Sequence, residues 1–251
     1  MRIQQIRNAT LKIEYADHTI LLDPWLQDKG TGFSAATVKP EMAGIKNPMN
    51  DLPMSPQEVL NGVDFCLVTH IHPDHFTEDY LPKDTHIVVQ NDEDEREARQ
   101  MEFRNVTAFR GDAIAFGILT IIRVPAIHGD NPVVAEMMGK VSGYILTGED
   151  KTLYIAGDTV YYDGVSETID KHHPDVIALN CCEATFAAGR LIMNFADVES
   201  VCNKSPDSIV IATHLDSVNH ALLTSDDIRA LARKKGLKQI KVLTNGEWME
   251  A

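Results

Sequence analysis

Residues Thr69 to Phe76 read THIHPDHF, which gathers three histidines and one aspartate into a short span. A neutral imidazole offers a lone pair to a metal ion or moves a proton near neutral pH. His70 and His72 alternate along an extended segment, so their rings can face one side. Pro73 cannot continue a helix and forces a turn. Asp74 and His75 then emerge from that turn toward a neighbouring position. Three more polar groups follow apolar runs in the same way: His128 in RVPAIHG, Asp158 in LYIAGDT and His214 in IVIATH. Brought together, these seven side chains suit two divalent ions sharing a bridging oxygen. Read singly, His128 is equally a loop histidine, Asp158 a turn cap and His214 a buried histidine bonded to backbone. Their order behind the HxHxDH motif favours ligation. His18, His86, His172, His173 and His220 lack that setting and read as surface or structural.

Strand ends on a rigid scaffold are where loop residues are presented for chemistry, so the elements around these groups matter. RIQQI, LKIEY, HTILLD, NVTAFR, AIAF and LTIIRVP read as strands. DFCLVTH, HIVVQ, DVIALN and DSIVIATH read as buried strands, GYILT and KTLYIA as a hairpin, and QIKVL and EWMEA as closing strands. NDEDEREARQME opens with an Asn cap and an acidic first turn, as a helix does. NFADVESVCNK has helical spacing, and SDDIRALARKKG is a capped helix with a Gly stop. Two packed sheets with helices outside fit this order, in one domain over residues 1–251. Two irregular stretches, Gln27 to Pro56 and Asn180 to Asn194, exceed an ordinary connection and are expected to overhang the site. They supply Met42, Met49, Phe186 and Met193 as apolar wall beside Asn180, Glu183 and Arg190.

The composition narrows the class. The 251 residues carry 37 Asp and Glu against 23 Lys and Arg, a net charge of −14. Nucleic-acid binding needs a basic footprint, and no basic run exceeds Arg233 to Lys235, so no nucleic-acid partner is expected. No apolar run approaches the roughly 20 residues that span a bilayer, and the first residues lack a signal core. A cytoplasmic location is therefore expected, with Cys66, Cys181, Cys182 and Cys202 as reduced thiols in packing roles. A homo-oligomer is compatible with the sequence.

THIHPDH, PAIHG, AGDT and ATH, in this order, resemble the metallo-β-lactamase superfamily. The opening IRNATLKIEYADHTILLDPWL and the closing VLTNGEWMEA resemble the branch containing ascorbate-6-phosphate lactonase. The resemblance spans nearly the whole chain. It implies an αββα sandwich of the α+β class, two mixed sheets with helices outside and metals at one edge. It also implies that His70, His72 and His128 bind one metal, that Asp74, His75 and His214 bind a second, and that Asp158 bridges them. Asp23, in ILLDP, would support the ligands from outside. Many relatives have His where this chain has Asn8. The segment LNCCEATFAAGRLIMNF also departs from the shorter Gly-rich stretch of lactonase relatives.

A dinuclear site of this kind activates hydroxide, with Asp74, His75 and Asp158 as the expected catalytic residues. Zinc is the first expectation for an imidazole-rich set, with manganese or iron as alternatives. The expected reaction is hydrolysis of a lactone or ester of a small, anionic metabolite. The alternative is a phosphodiesterase acting on a nucleotide or phospholipid head group. A non-hydrolytic iron oxidase or metal sensor ranks behind both, because iron oxidases of this fold often replace the second histidine of HxH with an acid. Asn8, Tyr161, Asn180, Glu183 and Arg190 are the candidate substrate contacts, Tyr162 lies near them, and Lys140, Arg123 and Arg190 are the candidate cations.

Overall fold

Successive residues of the central strands face two different cores, and this sets the architecture of the computed structural model, which describes residues 1–251. The first sheet has the order β16-β1-β2-β3-β4-β5-β6. Its strands are β1 (Arg2–Arg7), β2 (Thr10–Tyr15), β3 (His18–Leu22), β4 (Phe65–Leu67), β5 (His86–Val89), β6 (Asn105–Ala108) and β16 (Trp248–Glu250). The second has the order β15-β14-β11-β10-β9-β8-β7. It contains β7 (Ala113–Phe116), β8 (Leu119–Pro125), β9 (Ser142–Thr147), β10 (Leu153–Ile155), β11 (Val176–Asn180), β14 (Ile209–Thr213) and β15 (Ile240–Lys241). Both sheets mix parallel and antiparallel pairs.

Side chains alternate across a strand, so Phe65 and Leu67 of β4 face the core between the sheets while Cys66 and Val68 face outward. Val176 and Ala178 of β11 likewise face inward, whereas Ile177 and Leu179 face outward. Strands covered on both faces read as continuous apolar runs, which is why DFCLV and DVIAL do not alternate with polar residues. The outer face of the first sheet is covered by α1 (Pro56–Leu60) and α2 (Asp92–Gln100) through Val59 and Ala98. The outer face of the second lies under α3 (Pro132–Met138), α4 (Asp163–His172), α5 (Phe195–Lys204) and α6 (Ser225–Lys235). The layers are helix, sheet, sheet, helix, the expected sandwich.

Local chemistry fixes the helix ends. Asn91 accepts from the backbone N–H groups of Glu93 and Asp94 and starts α2. Asn194 and Asp197 form a capping box on α5. The cap of α6 is Thr224 with Asp227, one residue before the serine that the sequence suggested, and Gly236 ends the helix at φ 72°. Helix α4 lacks a sequence signal: its cap residue, Tyr162, makes no side-chain capping bond. It is held instead by burial of Val165 and Ile169. The irregular segment 180–194 contains a two-stranded hairpin, β12 (Thr185–Phe186) and β13 (Gly189–Arg190). All four cysteines are free and buried. No helix is long and apolar enough to cross a membrane.

Candidate metal centre

One edge of the sandwich collects the ends of strands from both sheets. Asn8 lies in the β1–β2 turn, Asp23 follows β3, and Thr69 to His75 follow β4. From the second sheet, His128 follows β8, Asp158 follows β10, Asn180 ends β11 and His214 follows β14. Asn8, Asp23 and His214 have φ of 54°, 42° and 62°. Such left-handed conformations are sparsely populated and persist where the surroundings over-determine them. The restraints here are direct: the Asn8 carbonyl accepts from His214 N–H at 3.0 Å and from the Thr213 hydroxyl at 2.7 Å. The Asn8 side-chain amide donates to the Asp74 carbonyl at 3.0 Å. Asn8 thus ties the Asp74 turn of one sheet to the His214 loop of the other.

The seven histidines and aspartates singled out from the sequence converge. His70, His72 and His128 place donor atoms within 4.8 Å of one another, as do His70, His75 and Asp158, and Asp74, His75 and His214. The Asp158 carboxylate lies 3.2 Å from His75 Nε2, 3.4 Å from His128 Nε2 and 3.9 Å from His214 Nε2. Asp74 lies 3.3 Å from His214 Nε2.

The outer nitrogen of four rings has a partner of its own. His75 Nδ1 donates to Asp23 at 2.8 Å and His128 Nδ1 to the Leu191 carbonyl at 2.9 Å. His214 Nδ1 meets Cys182 Sγ at 3.5 Å. The Thr69 hydroxyl donates to Asp23 at 2.8 Å, which leaves its oxygen to accept from His70 Nδ1 at 3.0 Å. Asp23, Leu191 and Thr69 place the proton of a neutral His75, His128 and His70 on Nδ1, so Nε2 of these three rings is left free to face inward. The inner nitrogens then face one another: His70 Nε2 is 2.9 Å from His72 Nδ1, and His75 Nε2 is 3.2 Å from His214 Nε2. Each close pair needs a proton between its nitrogens, and a bound metal ion takes the place of such protons.

The electrostatics express the same demand. Burial disfavours charge on His75, yet Asp158 and Asp23 outweigh it and lift its pKa to about 10. His214 is likewise buried, but Asp158, Cys182 and Asp74 raise it well above the ordinary histidine range. Burial would raise Asp74 and Asp158, and the facing imidazoles instead hold both below the usual carboxylate range. Burial chiefly lowers His70 and His128, and it brings His72 down to about 4. Protons on two imidazoles balance the carboxylates here. Divalent cations would satisfy the same donors, as the donor set of a hard or borderline metal does.

The remaining candidates divide. Asn180 donates to Asp158 at 2.6 Å and so supports the centre directly. Tyr161 and Arg190 line a cleft of about 460 Å³ that also contains Ile127 and Gly129, the neighbours of His128. Arg190 is paired there with Asp197. Burial raises the Glu183 carboxyl, and Arg190 and Lys39 partly offset this. Lys140 is exposed beside Glu93, and Arg123 donates to the Gln90 carbonyl, so neither lines the cleft. Two contributors escaped the sequence reading. Cys182 does more than pack, since it is the partner of His214. His220, read as surface or structural, is buried and feels the charges of Asp74, His214, Asp158 and His128. Its position six residues after His214 was the only available signal.

Residues 18–215, which carry every one of the seven, match the Beta-lactamase superfamily domain. The chain belongs to the beta-lactamase superfamily. It belongs more narrowly to the UPF0173 family, being 35% identical to UPF0173 protein YddR of Bacillus subtilis over 98% of both chains. The crystal structure of an isothiocyanate hydrolase from Delia radicum gut bacteria superposes with a TM-score of 0.93 at 31% identity, covering 100% of this chain and 99% of that one. A possible metal-dependent hydrolase from Veillonella parvula DSM 2008 superposes at 0.92 and 30% identity, covering 99% and 98%. The superfamily fold and the four-layer sandwich described above therefore agree.

Proposed function

We propose that this chain is a metal-dependent hydrolase, one domain over residues 1–251, that attacks an electrophilic carbon in a small, uncharged molecule. The observation that carries the reading is the convergence of five imidazoles and two carboxylates at one edge of the sandwich, in three groups whose ligand atoms lie within 4.8 Å of one another. His70, His72 and His128 would hold one ion, Asp74, His75 and His214 a second, and Asp158 would contact both. Two such ions, zinc first, would supply a hydroxide nucleophile at neutral pH. The chain's own residues do the rest. Asp23 and Thr69 orient His70 and His75, the Leu191 carbonyl orients His128, and Asn180 fixes one oxygen of Asp158.

The cleft beside the cluster guides the choice of substrate. Ile127, Pro132, Ala135 and Val160 form its apolar wall, and Asp130 stands with Arg190 as its charged groups. With Arg190 paired to Asp197, no free cation awaits a phosphate or carboxylate. This favours the uncharged N=C=S carbon of an isothiocyanate, the substrate class of the similar hydrolase from Delia radicum gut bacteria, or an uncharged ester or lactone. A phosphorylated lactone, as in the ascorbate-6-phosphate branch, and a phosphodiester fit the cleft less well. The test is metal analysis of purified protein, then parallel assays with benzyl isothiocyanate, a neutral lactone and bis(p-nitrophenyl) phosphate. Turnover confined to the phosphodiester, or protein that binds no divalent metal, would overturn the reading.

A further inference from the structure

The cleft beside His128 is lined by one arginine, and the charge of that arginine is met by a carboxylate behind the cleft wall. Arg190 ends β13, immediately before Leu191, whose carbonyl orients His128. Three ties fix it. Its carbonyl accepts from Asp130 N–H at 3.0 Å, and its Nη1 donates to the Ile192 carbonyl at 2.7 Å and to Asp197. The β12–β13 hairpin also seats closely on the cleft loop: a Cβ on Gly189 would lie 2.4 Å from Asn131 Nδ2 and 2.6 Å from Asp130 Oδ1. Arg190 Nε and Nη2 make no hydrogen bond within the chain, and neither is sealed from solvent. A guanidinium fixed at a cleft wall with Nε–H and Nη2–H unused can donate them to a bound molecule.

Asp197, in the first turn of α5, organises this side of the cleft. Its Oδ2 accepts from Arg190 Nη1 and, at 3.4 Å each, from the backbone N–H groups of Asn194 and of Tyr161, itself a cleft residue. Its Oδ1 takes no hydrogen bond from the chain and reaches solvent. The two side chains of the pair are only 18% and 16% exposed, so salt and water screen them less than a surface pair. Opposite charges thus cancel beside the cleft, while the arginine donors stay in place. The carboxylate that lines the cleft itself, Asp130, is exposed to water.

We propose that Asp197 is a specificity-determining residue: it cancels the charge of Arg190 and so makes the cleft a donor site for the heteroatom of an uncharged substrate instead of an anion site. The inference rests on the hydrolase reading above and names the residue that sets its substrate class. A carbonyl oxygen or thiocarbonyl sulfur takes a hydrogen bond from Nε–H or Nη2–H without a net charge. A phosphate or carboxylate meets the Asp197 charge behind the guanidinium.

Asp197→Asn isolates this effect, because the amide oxygen can replace Oδ2 in all three hydrogen bonds and the NH₂ can replace the solvent-facing Oδ1. Zinc-loaded full-length protein is titrated, by ligand-observed NMR, with phenylmethanesulfonate, an anion of low affinity for zinc, and with benzyl methyl sulfone, its uncharged counterpart. The parent should bind the sulfone at least as tightly as the sulfonate. The Asn variant should bind the sulfonate about five- to ten-fold more tightly than the parent does, and the sulfone within about two-fold, as a charge-assisted hydrogen bond is unmasked. The gain should shrink at high salt and vanish when Arg190→Met is added. A sulfonate affinity equal in parent and variant, a gain that survives loss of Arg190, or binding of neither ligand to any form overturns the inference. Arg190→Gln decides the matter if the Asn variant does not fold. It leaves the Asp197 charge uncompensated and should bind benzyltrimethylammonium several-fold more tightly than the parent; an unchanged affinity overturns the inference. None of these measurements needs turnover. Unmasking in a parent inactive on isothiocyanate, lactone and phosphodiester sinks the hydrolase reading and leaves the role of Asp197 standing, whereas an active parent without unmasking sinks only that role.

Discussion

Replacing Asp23 with Asn should weaken both the fold and the metal centre, and the structure gives the size of each effect. One carboxylate oxygen of Asp23 accepts from Thr69 N–H at 2.7 Å. The other accepts from the Thr69 hydroxyl and from His75 Nδ1, both at 2.8 Å. An amide cannot reproduce this. With its oxygen toward Thr69 N–H, its NH₂ meets the Thr69 hydroxyl and His75 Nδ1–H. Turned over, its NH₂ meets Thr69 N–H. Either orientation leaves a buried donor facing a donor, at about 1–3 kcal/mol for each unsatisfied group. Asn tolerates positive φ, so the backbone at φ 42° is not the source of the loss. A total of roughly 2–4 kcal/mol corresponds to a fall in Tm of about 5–15 °C for a chain of this size. If His75 escapes by moving its proton to Nε2, it forfeits the inward lone pair, and metal affinity should fall about 10–100-fold. Differential scanning calorimetry and competitive chelator titration read the two effects separately. An Asn variant that melts within 2 °C (about 0.5–1 kcal/mol) of the parent and binds zinc equally well would refute the account of Asp23 as the residue that orients His70 and His75.

Asp158→Ala should abolish hydrolysis while the far-ultraviolet circular dichroism stays native, because its carboxylate contacts ligands rather than core; retained turnover, or an unfolded variant, would count against this. Exchange of segment 27–56 for a short Gly-Ser link should change substrate preference more than zinc content in a metal and activity screen. The same exchange of 180–194 should lower zinc content as well, since Leu191 supports His128 and Asn180 supports Asp158; this adds a supporting role to the sequence expectation that the segment overhangs the site. Asp94 is buried at the start of α2, and burial lifts its carboxyl to about 6. The folded protein thus favours the neutral acid, and the parent loses stability as pH rises from about 4, the unfolded value, to about 6. Asp94→Asn should therefore be the more stable protein above pH 6 (a pKa difference of about two units), with the gap closing below pH 4; thermal melts showing a gap independent of pH would contradict this.

The HxHxDH motif and the single polar residues after three later apolar runs were legible in the sequence because ligand chemistry admits few residue types and strand periodicity shows where each loop begins. The sandwich was legible for a similar reason: DFCLV, DVIAL and SIVIA can be so uniformly apolar only if both faces of each strand are covered. Asp23 was recognisable only through the resemblance, and its three hydrogen bonds to Thr69 and His75 exist only in three dimensions. Helix α4 gave no signal, since its start has no side-chain cap and its stability comes from packing against the second sheet. Cys182 and His220 look in the sequence like packing or surface residues. Their placement beside His214 and the charges of Asp74 and Asp158 depends on how β11, β14 and the β12–β13 hairpin come together. The sequence determines which atoms can bind or move charge, through residue type and local period. The tertiary structure alone decides which of them face each other, because hydrogen-bond partners and burial are set by contacts between segments far apart in the chain.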